Sequence, residues 1–199
     1  MYQKIILASQ SPRRKQLLEM AQVPFDLALP GIEEVYENDL SPEKVPLYLA
    51  TQKAKAVKEH ILLTREKTNK LPIVAADTIV LIQNTILGKP QSEDEAVAML
   101  EQLSGNEHQV ITGVSILKEN EHIGFSAVTK VFFHSLKKKE ILWYVQNYKP
   151  YDKAGAYGIQ DWIGLCKVDK IVGSYTNIMG LPMETVYKML FHKLNSYIR

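Results

Sequence analysis

One run of eleven residues, polar at only two positions, places the tightest constraint on how this chain folds. Residues 72–82 read Pro-Ile-Val-Ala-Ala-Asp-Thr-Ile-Val-Leu-Ile, with Asp77 and Thr78 as the exceptions. The β-branched content predicts a strand buried on both faces, as in a sheet covered by helices. An unpaired carboxylate inside such a strand would be costly. Asp77 is therefore either paired with a structural Arg or Lys, or it is a catalytic base or metal ligand on a cleft floor.

The N-terminal segment predicts a strand that runs directly into a helix. Lys4–Ala8 is apolar, and Ser11 before Pro12 is a helix start with a hydroxyl N-cap and proline at the first helical position. Arg13 and Arg14 then lie at the positive end of the helix dipole, which cations oppose. Two guanidinium groups at this junction favour a phosphate site over a solvated face.

A lysine lies on the inward face of a predicted helix that runs from Ser41 to about His60. Leu49, Lys53 and Val57 are four residues apart, so they share one face of that helix. A lysine on this face either extends to the edge or meets an anion. Lys53→Ala is expected to stabilise the protein in the absence of ligand, because it relieves a buried charge.

Helices between strands at the N-terminal end, with mixed elements later, predict a mixed α/β sheet flanked by helices. We expect a single domain, 1–199, of two lobes that share one sheet. In the helix predicted at 136–148, Ile141, Leu142 and Val145 are expected to face inward. The other predicted elements are a strand at 27–32, a turn at 83–84, a helix from 92 to 103, a hairpin at 108–134, a strand at 165–171 and a C-terminal helix from 181.

Composition excludes several classes of protein. The formal net charge of +2 is too small to argue for nucleic-acid binding, and no apolar segment reaches membrane length. A single cysteine rules out an internal disulfide and fits a reducing compartment, so we expect a cytoplasmic protein. The apolar stretch near the N-terminus is too short for a signal peptide. The five histidines lack the spacing of a zinc site.

A second candidate site follows the 136–148 helix. Residues 151–160 hold two glycines, the pair Asp152-Lys153 and Gln160, without helix or strand periodicity. Loops of this kind carry binding groups, although an ordinary glycine turn has the same composition. Together with the N-terminal arginines, Lys53 and Asp77, this set suits a polyphosphate with a divalent metal. The sequence lacks a P-loop and a serine-hydrolase elbow, so the residues alone indicate a phosphate-ester or nucleotide hydrolase.

Six motifs resemble those of the Maf family of nucleoside triphosphate pyrophosphatases, in family order from residue 5 to about residue 185. The two longest, at 7–14 and 152–160, are the most specific. The motifs are Leu7-Ala-Ser-Gln-Ser-Pro-Arg-Arg14, Ala76-Asp-Thr78, Gly88-Lys-Pro90, Leu103-Ser-Gly105, Asp152-Lys-Ala-Gly-Ala-Tyr-Gly-Ile-Gln160 and Gly180-Leu-Pro182.

The resemblance implies cleavage of a nucleoside triphosphate to the monophosphate and pyrophosphate. It also implies a fold similar to that of inosine triphosphate pyrophosphatase, with a cleft between two lobes, a divalent metal (Mg²⁺ or Mn²⁺) and a homodimer. By motif position Asp77 matches the proton acceptor, Glu34 an acidic position assigned to metal or catalysis, and Lys53 a position in phosphate handling. The other positions that match substrate binding are Ser9, Arg13, Arg14, Thr78, Lys89, Asp152, Lys153 and Gln160.

The resemblance extends to the choice of substrate. Members that act on dTTP and UTP are similar to this chain at Arg13, Thr78 and Gln160, whereas the branch that acts on 7-methyl-GTP has Trp and Gln at the first two positions. Asp161 departs from the glycine usual in this branch, which bears on the choice among pyrimidine or modified bases. The alternatives are the same chemistry on 7-methyl-GTP or inosine nucleotides, or a non-enzymatic role as a cell-division regulator or nucleic-acid-binding protein.

Overall fold

A computed structural model of the chain describes residues 4–29, 31–37, 39–64 and 70–194. Within these residues the strands form one seven-stranded mixed sheet in the order β2-β1-β3-β5-β6-β7, with β4 paired to β3. The predicted mixed α/β architecture is therefore confirmed. The strands are β1 (Ile5–Ala8), β2 (Phe25–Leu27), β3 (Ile73–Ile82), β4 (Thr85–Leu87), β5 (Glu107–Lys118), β6 (Glu121–Phe133) and β7 (Val168–Val172).

The helices cover most of the predicted helical segments. Short 3-10 turns at Pro42–Lys44 and Ala154–Ala156 accompany them, and a π-helical turn, Met189–Lys193, continues the last one. Within the described ranges no helix has the length and apolar content needed to cross a bilayer. The helices are α1 (Pro12–Met20), α2 (Val45–Thr64), α3 (Glu93–Leu103), α4 (Lys138–Tyr148), α5 (Trp162–Lys167), α6 (Tyr175–Ile178) and α7 (Met183–Lys188).

The described residues form two compact units, and β3, β5 and β6 contribute to both. The first unit comprises the chain up to Asp77, Thr112–Ala127 and the segment from Gly180 onward; the second comprises Thr78–Ile111 and Val128–Met179. In the first unit, α2 packs on β1 and β3 to form a buried core. This core contains Ile6, Ala8, Ala54, Val57, Ile61, Ile73, Ala75 and Leu117.

Several local predictions are confirmed at the level of backbone geometry. Gln83 and Asn84 both have positive φ, 47° and 68°, as a two-residue hairpin turn between β3 and β4 requires. Ser92 caps α3 by accepting a hydrogen bond from the Glu95 N–H. Gly105, beyond the end of α3, has a φ of +70°, which favours glycine.

Three local predictions differ from the structure in their bounds or in their buried residues. The second strand lies at Phe25–Leu27, where it pairs with β1, and not at 27–32. The strand predicted at 165–171 is confirmed only from Val168 onward, as β7, because residues 162–167 form α5. Leu165 and Cys166 are exposed on this helix, so their apolar character does not indicate a buried strand. In α4 the buried aromatic is Tyr144, while Leu142 is only half-buried.

Candidate active site

In the first unit the strand-to-helix junction predicted near the N-terminus surrounds a buried arginine. Arg14, in the first turn of α1, is only 8% exposed. Its Nε donates to the Gly180 carbonyl at 2.7 Å and its Nη1 donates to the Ser9 hydroxyl at 3.0 Å. The Ser11 N–H also donates to Ser9 Oγ, and the Ser11 side chain makes no capping bond. The junction therefore orients a guanidinium group and does not rely on the predicted hydroxyl cap.

The electrostatic surroundings of Arg14 contain charges of both signs. Burial lowers the pKa of Arg14, the nearby Asp77 carboxylate opposes that effect, Arg13 adds to it, and Glu34 opposes it. An arginine stays protonated at neutral pH even so. Arg14 is thus a buried cation within electrostatic reach of a second guanidinium group and two carboxylates.

A buried lysine links the two carboxylates of this unit. Lys53 Nζ lies 2.5 Å from Asp77 Oδ1 and 2.7 Å from Glu34 Oε1. Lys53 is 6% exposed and Asp77 8% exposed, whereas the Glu34 side chain is 48% exposed. Asp77 therefore has a lysine partner, and that partner is a residue that sequence reasoning assigned to the same site. Lys53, Asp77 and Glu34 form a charged triad. Because the Glu34 side chain is half exposed, a ligand can approach this triad from the Glu34 side.

Strand alternation and helix spacing explain why these two side chains meet. Ile73, Ala75 and Asp77 share one face of β3, and the first two pack in the core against α2. Lys53 lies one turn before Val57, which belongs to the same core. Asp77 is the next residue on the core-facing side of β3 after Ala75, and Lys53 is one turn before Val57 on the core-facing side of α2. The carboxylate and the ammonium group therefore meet at the end of this core. Because this charge is paired twice, the structure favours a loss of stability in Lys53→Ala, opposite to the gain predicted from the sequence.

The carboxylates of this triad fit a divalent metal that arrives with a phosphate ligand. Among the residues that the structure describes, no group of three or more His, Cys, Asp or Glu side chains could hold a metal ion. Asp77 and Glu34 nevertheless direct oxygens at one cation, the Lys53 ammonium. Mg²⁺ is typically held by one or two carboxylates together with substrate phosphates and water. The donor set therefore suits Mg²⁺ or Mn²⁺ shared with a triphosphate.

In the second unit the Asp152–Gln160 loop forms its own charged cluster. Lys153 Nζ donates to Asp152 Oδ1 at 2.8 Å and lies 3.9 Å from Asp161 Oδ2. The Gly155 N–H donates to the Gly88 carbonyl, which joins this loop to the segment that carries the exposed Lys89. The structure thus brings Lys89, Asp152 and Lys153 into one region of this unit.

The remaining predicted residues of the second unit differ in their surroundings. Thr78 is half-buried on β3, directly after Asp77. Gln160 places its Oε1 atom out of solvent, and this oxygen has no hydrogen-bond partner among the residues that the structure describes. A buried acceptor without a donor is costly, so this atom marks a place where a ligand donor would be favourable.

The predicted site residues thus fall into two sets, one in each unit. That both sets contact one ligand remains a prediction. The first set is Ser9, Arg13, Arg14, Glu34, Lys53 and Asp77, and the second is Thr78, Lys89, Asp152, Lys153 and Gln160.

Sequence reasoning missed two groups that position these residues. The Gly180 carbonyl anchors Arg14 from 166 residues away, and no local pattern signals that bond. Tyr144 donates from its hydroxyl to Asp161 Oδ2 at 2.8 Å. Tyr144 lies three residues after Ile141 on the apolar face of α4, so helix spacing could have found it.

A buried histidine in the second unit gives a stability prediction. His108, 1% exposed, lies 2.8 Å from the Tyr157 hydroxyl through Nε2, and burial lowers its pKa from 6.5 to about 4. The unfolded chain therefore binds a proton that the folded protein excludes between these pH values. We expect stability to be full above pH 6.5 and to fall as the pH drops toward 4, by about 2 kcal/mol at pH 5.

Urea unfolding at pH 7.5 and pH 5 tests this, with His108→Gln as the comparison. The variant should be less stable at pH 7.5 but should lose less stability than the parent protein on acidification. Equal losses in the two proteins would show that His108 is not the group responsible.

The sequence comparisons identify the same family as the motifs do. A family model described as Maf-like protein matches residues 4–193. A protein of Porphyromonas gingivalis named dTTP/UTP pyrophosphatase is 46% identical over 188 residues, 94% of this chain and 92% of that protein. Proteins of the same name from Phocaeicola vulgatus and Flavobacterium johnsoniae are 48% and 44% identical, each over 94% of this chain and over 94% and 93% of their own lengths.

Among solved structures, that of the Staphylococcus aureus Ham1 protein has a TM-score of 0.43 at 13% identity. The match covers 65% of this chain and 71% of that chain. A likeness at this level supports no conclusion about activity.

Proposed function

This chain belongs to the Maf-like protein family, and on that premise we propose that it hydrolyses dTTP and UTP to the nucleoside monophosphate and pyrophosphate. The observation that carries the proposal is the triad in which Lys53 contacts Asp77 and Glu34, with the buried Arg14 in electrostatic reach. Counting Arg13, three cationic and two anionic side chains among the described residues lie in this region. The excess positive charge favours an anionic ligand.

Phosphate binding is assigned to the cations of the first unit. Arg14 is oriented by the Gly180 carbonyl and the Ser9 hydroxyl, and a guanidinium group donates to phosphate oxygens in a fixed geometry. Lys53 contacts two carboxylates without ligand, so a bound phosphate competes with these carboxylates for the ammonium group. In this proposal phosphate binding draws Lys53 toward the ligand and leaves Asp77 oxygens available for water.

The reaction proposed at Asp77 is general-base catalysis. The Asp77 carboxylate accepts a proton from a water molecule as the water oxygen forms a bond to the α-phosphorus. The bond between that phosphorus and the oxygen bridging to the β-phosphorus breaks, and pyrophosphate leaves. Arg14 and Lys53 stabilise the negative charge that develops on the phosphate oxygens. The proton then passes from Asp77 to solvent.

A divalent metal is part of this proposal, with Asp77 and Glu34 as its protein ligands. When bound, a metal of this kind neutralises phosphate charge and polarises the phosphoryl group. Glu34 is suited to such a shared role because its side chain is half exposed while its Oε1 reaches the same ammonium as Asp77.

The preference for uracil and thymine is assigned to the second unit. Both bases carry a ring N–H donor between two carbonyl groups, whereas cytosine has an unprotonated nitrogen at that position. The buried Gln160 Oε1, which has no donor in the described part of the chain, would accept a hydrogen bond from that N–H. Selectivity based on an unpaired buried polar atom is strong, because the wrong base leaves the atom unsatisfied.

A pyrophosphate-release panel tests the proposal with dTTP, UTP, CTP, 7-methyl-GTP and ITP. We expect kcat/KM to be highest for dTTP and UTP, by about tenfold or more over CTP. We also expect EDTA to abolish turnover and Mg²⁺ or Mn²⁺ to restore it. If 7-methyl-GTP or ITP were preferred, the base assignment would be wrong; if no nucleotide were hydrolysed, the whole proposal would fail.

Two further expectations accompany this function. The resemblance implies a homodimer, and we propose that the protein acts as one in the cytoplasm, where its nucleotide substrates are found. Sedimentation analysis of the purified protein tests the oligomeric state.

A further inference from the structure

Asp161 makes contacts that differ from those of an ordinary helix cap. It occupies the N-cap position of α5, where an aspartate normally accepts hydrogen bonds from the first N–H groups of its helix. The Asp161 side chain makes no such bond. Its Oδ2 instead accepts a hydrogen bond from the Tyr144 hydroxyl at 2.8 Å and lies 3.9 Å from Lys153 Nζ. The carboxylate is thus directed away from its own helix and toward α4 and the Asp152–Gln160 loop.

Tyr144 connects this carboxylate to the backbone of the same loop. The Gly158 N–H donates to the Tyr144 hydroxyl oxygen at 3.1 Å, and that hydroxyl donates to Asp161. Burial, together with the adjacent Asp161 carboxylate, raises the pKa of Tyr144, so the hydroxyl remains a donor at any physiological pH. Hydrogen bonds in series of this kind polarise and strengthen one another.

A backbone hydrogen bond also joins the two ends of the segment 158–161. The Asp161 N–H donates to the Gly158 carbonyl at 3.1 Å. A Cβ on Gly158 would lie 2.5 Å from Asp161 Oδ2, so only glycine allows the carboxylate to approach this closely. Residues 158–161 are therefore held at both ends, by Tyr144 at Gly158 and by the Asp161 side chain.

The same carboxylate constrains a cation of the candidate site. The Lys153 side chain is 14% exposed and lies between Asp152, at 2.8 Å, and Asp161, at 3.9 Å. Two carboxylates around one ammonium group limit the positions that a flexible lysine side chain can adopt. A residue without a side chain at position 161 would remove one of these two constraints.

We propose that Asp161 is a positioning residue for nucleotide selectivity: through Tyr144 and Gly158 it holds Gln160 in one orientation toward the base. This rests on the proposed function, since it assigns the base contact to Gln160. Gln160 lies between the two tethered residues, and its buried Oε1 has no hydrogen-bond partner within the described ranges of the chain. A loop held at both ends keeps that acceptor in a fixed position, which discrimination between bases requires.

Binding of non-hydrolysable α,β-imido analogues of dTTP and CTP, measured by calorimetry, tests this inference with three variants. Asp161→Gly removes the carboxylate. Tyr144→Phe keeps the ring but removes both hydrogen bonds. Asp161→Asn keeps an oxygen that accepts from Tyr144 but lacks the charge that faces Lys153. We expect the first two variants to bind the dTTP analogue about tenfold more weakly and to lose most of the discrimination against the CTP analogue. We expect Asp161→Asn to retain the discrimination of the parent protein.

Asp169→Asn is the matched control, because Asp169 is a well-exposed aspartate of the same unit, 3.6 Å from His134. It should change neither affinity. Melting curves establish that each variant is folded at the assay temperature. A merely structural role for Asp161 would lower the melting temperature and leave the ratio of the two affinities unchanged.

Two results would overturn the inference. One is an unchanged affinity ratio in both Asp161→Gly and Tyr144→Phe. The other is a loss of discrimination in Asp161→Asn equal to that in Asp161→Gly, while Tyr144→Phe keeps the discrimination of the parent protein. That result would assign the effect to the charge near Lys153 alone. A parent protein that bound the dTTP analogue without hydrolysing dTTP would refute the proposed function and leave this test valid. A parent protein that bound neither analogue would refute both.

Discussion

Replacing Asp77 with asparagine is expected to lower kcat for dTTP about a thousandfold while the protein stays folded. The amide keeps the size and polarity of the side chain but does not accept a proton from water at neutral pH. Lys53 keeps its contact with Glu34, so the buried ammonium retains an anionic partner. We therefore expect the free energy of unfolding to fall by only about 1–3 kcal/mol.

The measurement is steady-state pyrophosphate release together with urea unfolding of the same preparation. Asp26→Asn is the control, since Asp26 is a half-exposed aspartate in the first unit that pairs with Lys4. That variant should retain full activity. If Asp77→Asn kept more than about a tenth of the parent activity, Asp77 would not be the general base.

Glu34→Gln separates the two roles open to the carboxylates. A residue that serves only as a metal ligand should lose activity in a way that excess Mg²⁺ or Mn²⁺ partly restores, because weaker binding is overcome by concentration. Activity that is lost because the general base is missing should not be restored by added metal. We expect partial rescue for Glu34→Gln and none for Asp77→Asn.

Replacing Lys53 with alanine is expected to impair both activity and stability. Loss of one cation that stabilises the phosphate transition state should lower kcat/KM for dTTP about a hundredfold or more. The change also leaves the buried Asp77 carboxylate without the ammonium group 2.5 Å away. Removing one member of a buried ion pair typically costs about 3–5 kcal/mol, and we expect the lower end because Glu34 is half exposed.

Lys55→Ala on the same helix is the matched control, because Lys55 is exposed two residues further along α2. This variant should keep the kcat/KM of the parent protein, and its free energy of unfolding should lie within about 0.5 kcal/mol of the parent value. Urea unfolding and pyrophosphate release measure the two effects separately. A Lys53→Ala protein more stable than the parent would show that the paired charges oppose folding. Unchanged kcat/KM would remove Lys53 from the catalytic group.

The local periodicities were enough to predict which residues share the core-facing sides of β3 and α2 in the first unit. Alternation along residues 73–82 assigned Asp77 to the same face as Ile73 and Ala75, and both apolar residues pack against α2. Four-residue spacing assigned Lys53 to the inward face of α2, where it is 6% exposed. These predictions hold because each depends only on the geometry of a single strand or helix.

Predictions that depended on partners from elsewhere in the chain were less reliable. The sequence indicated that Lys53 would extend to the edge or meet an anion, and it did not indicate that two carboxylates would share it. The helix at 162–167 was missed because close packing of Gly164 against the Ile159 carbonyl, where a Cβ would lie 2.1 Å away, is invisible in an apolar run. Leu142 was predicted to be buried in place of Tyr144, although the three-residue spacing from Ile141 would have indicated Tyr144.

What the sequence determined by itself was the strand that carries Asp77, the helix start that carries Arg13 and Arg14, and the inward face of the helix on which Lys53 lies, since those follow from bonding between near neighbours. Only the tertiary structure decided which of these groups meet: Arg14 with the Gly180 carbonyl, Lys53 with both Asp77 and Glu34, and Asp161 with Tyr144. The physical reason is that hydrogen bonds and ion pairs between distant segments form only after packing has removed water and fixed both partners, and no local pattern encodes that outcome.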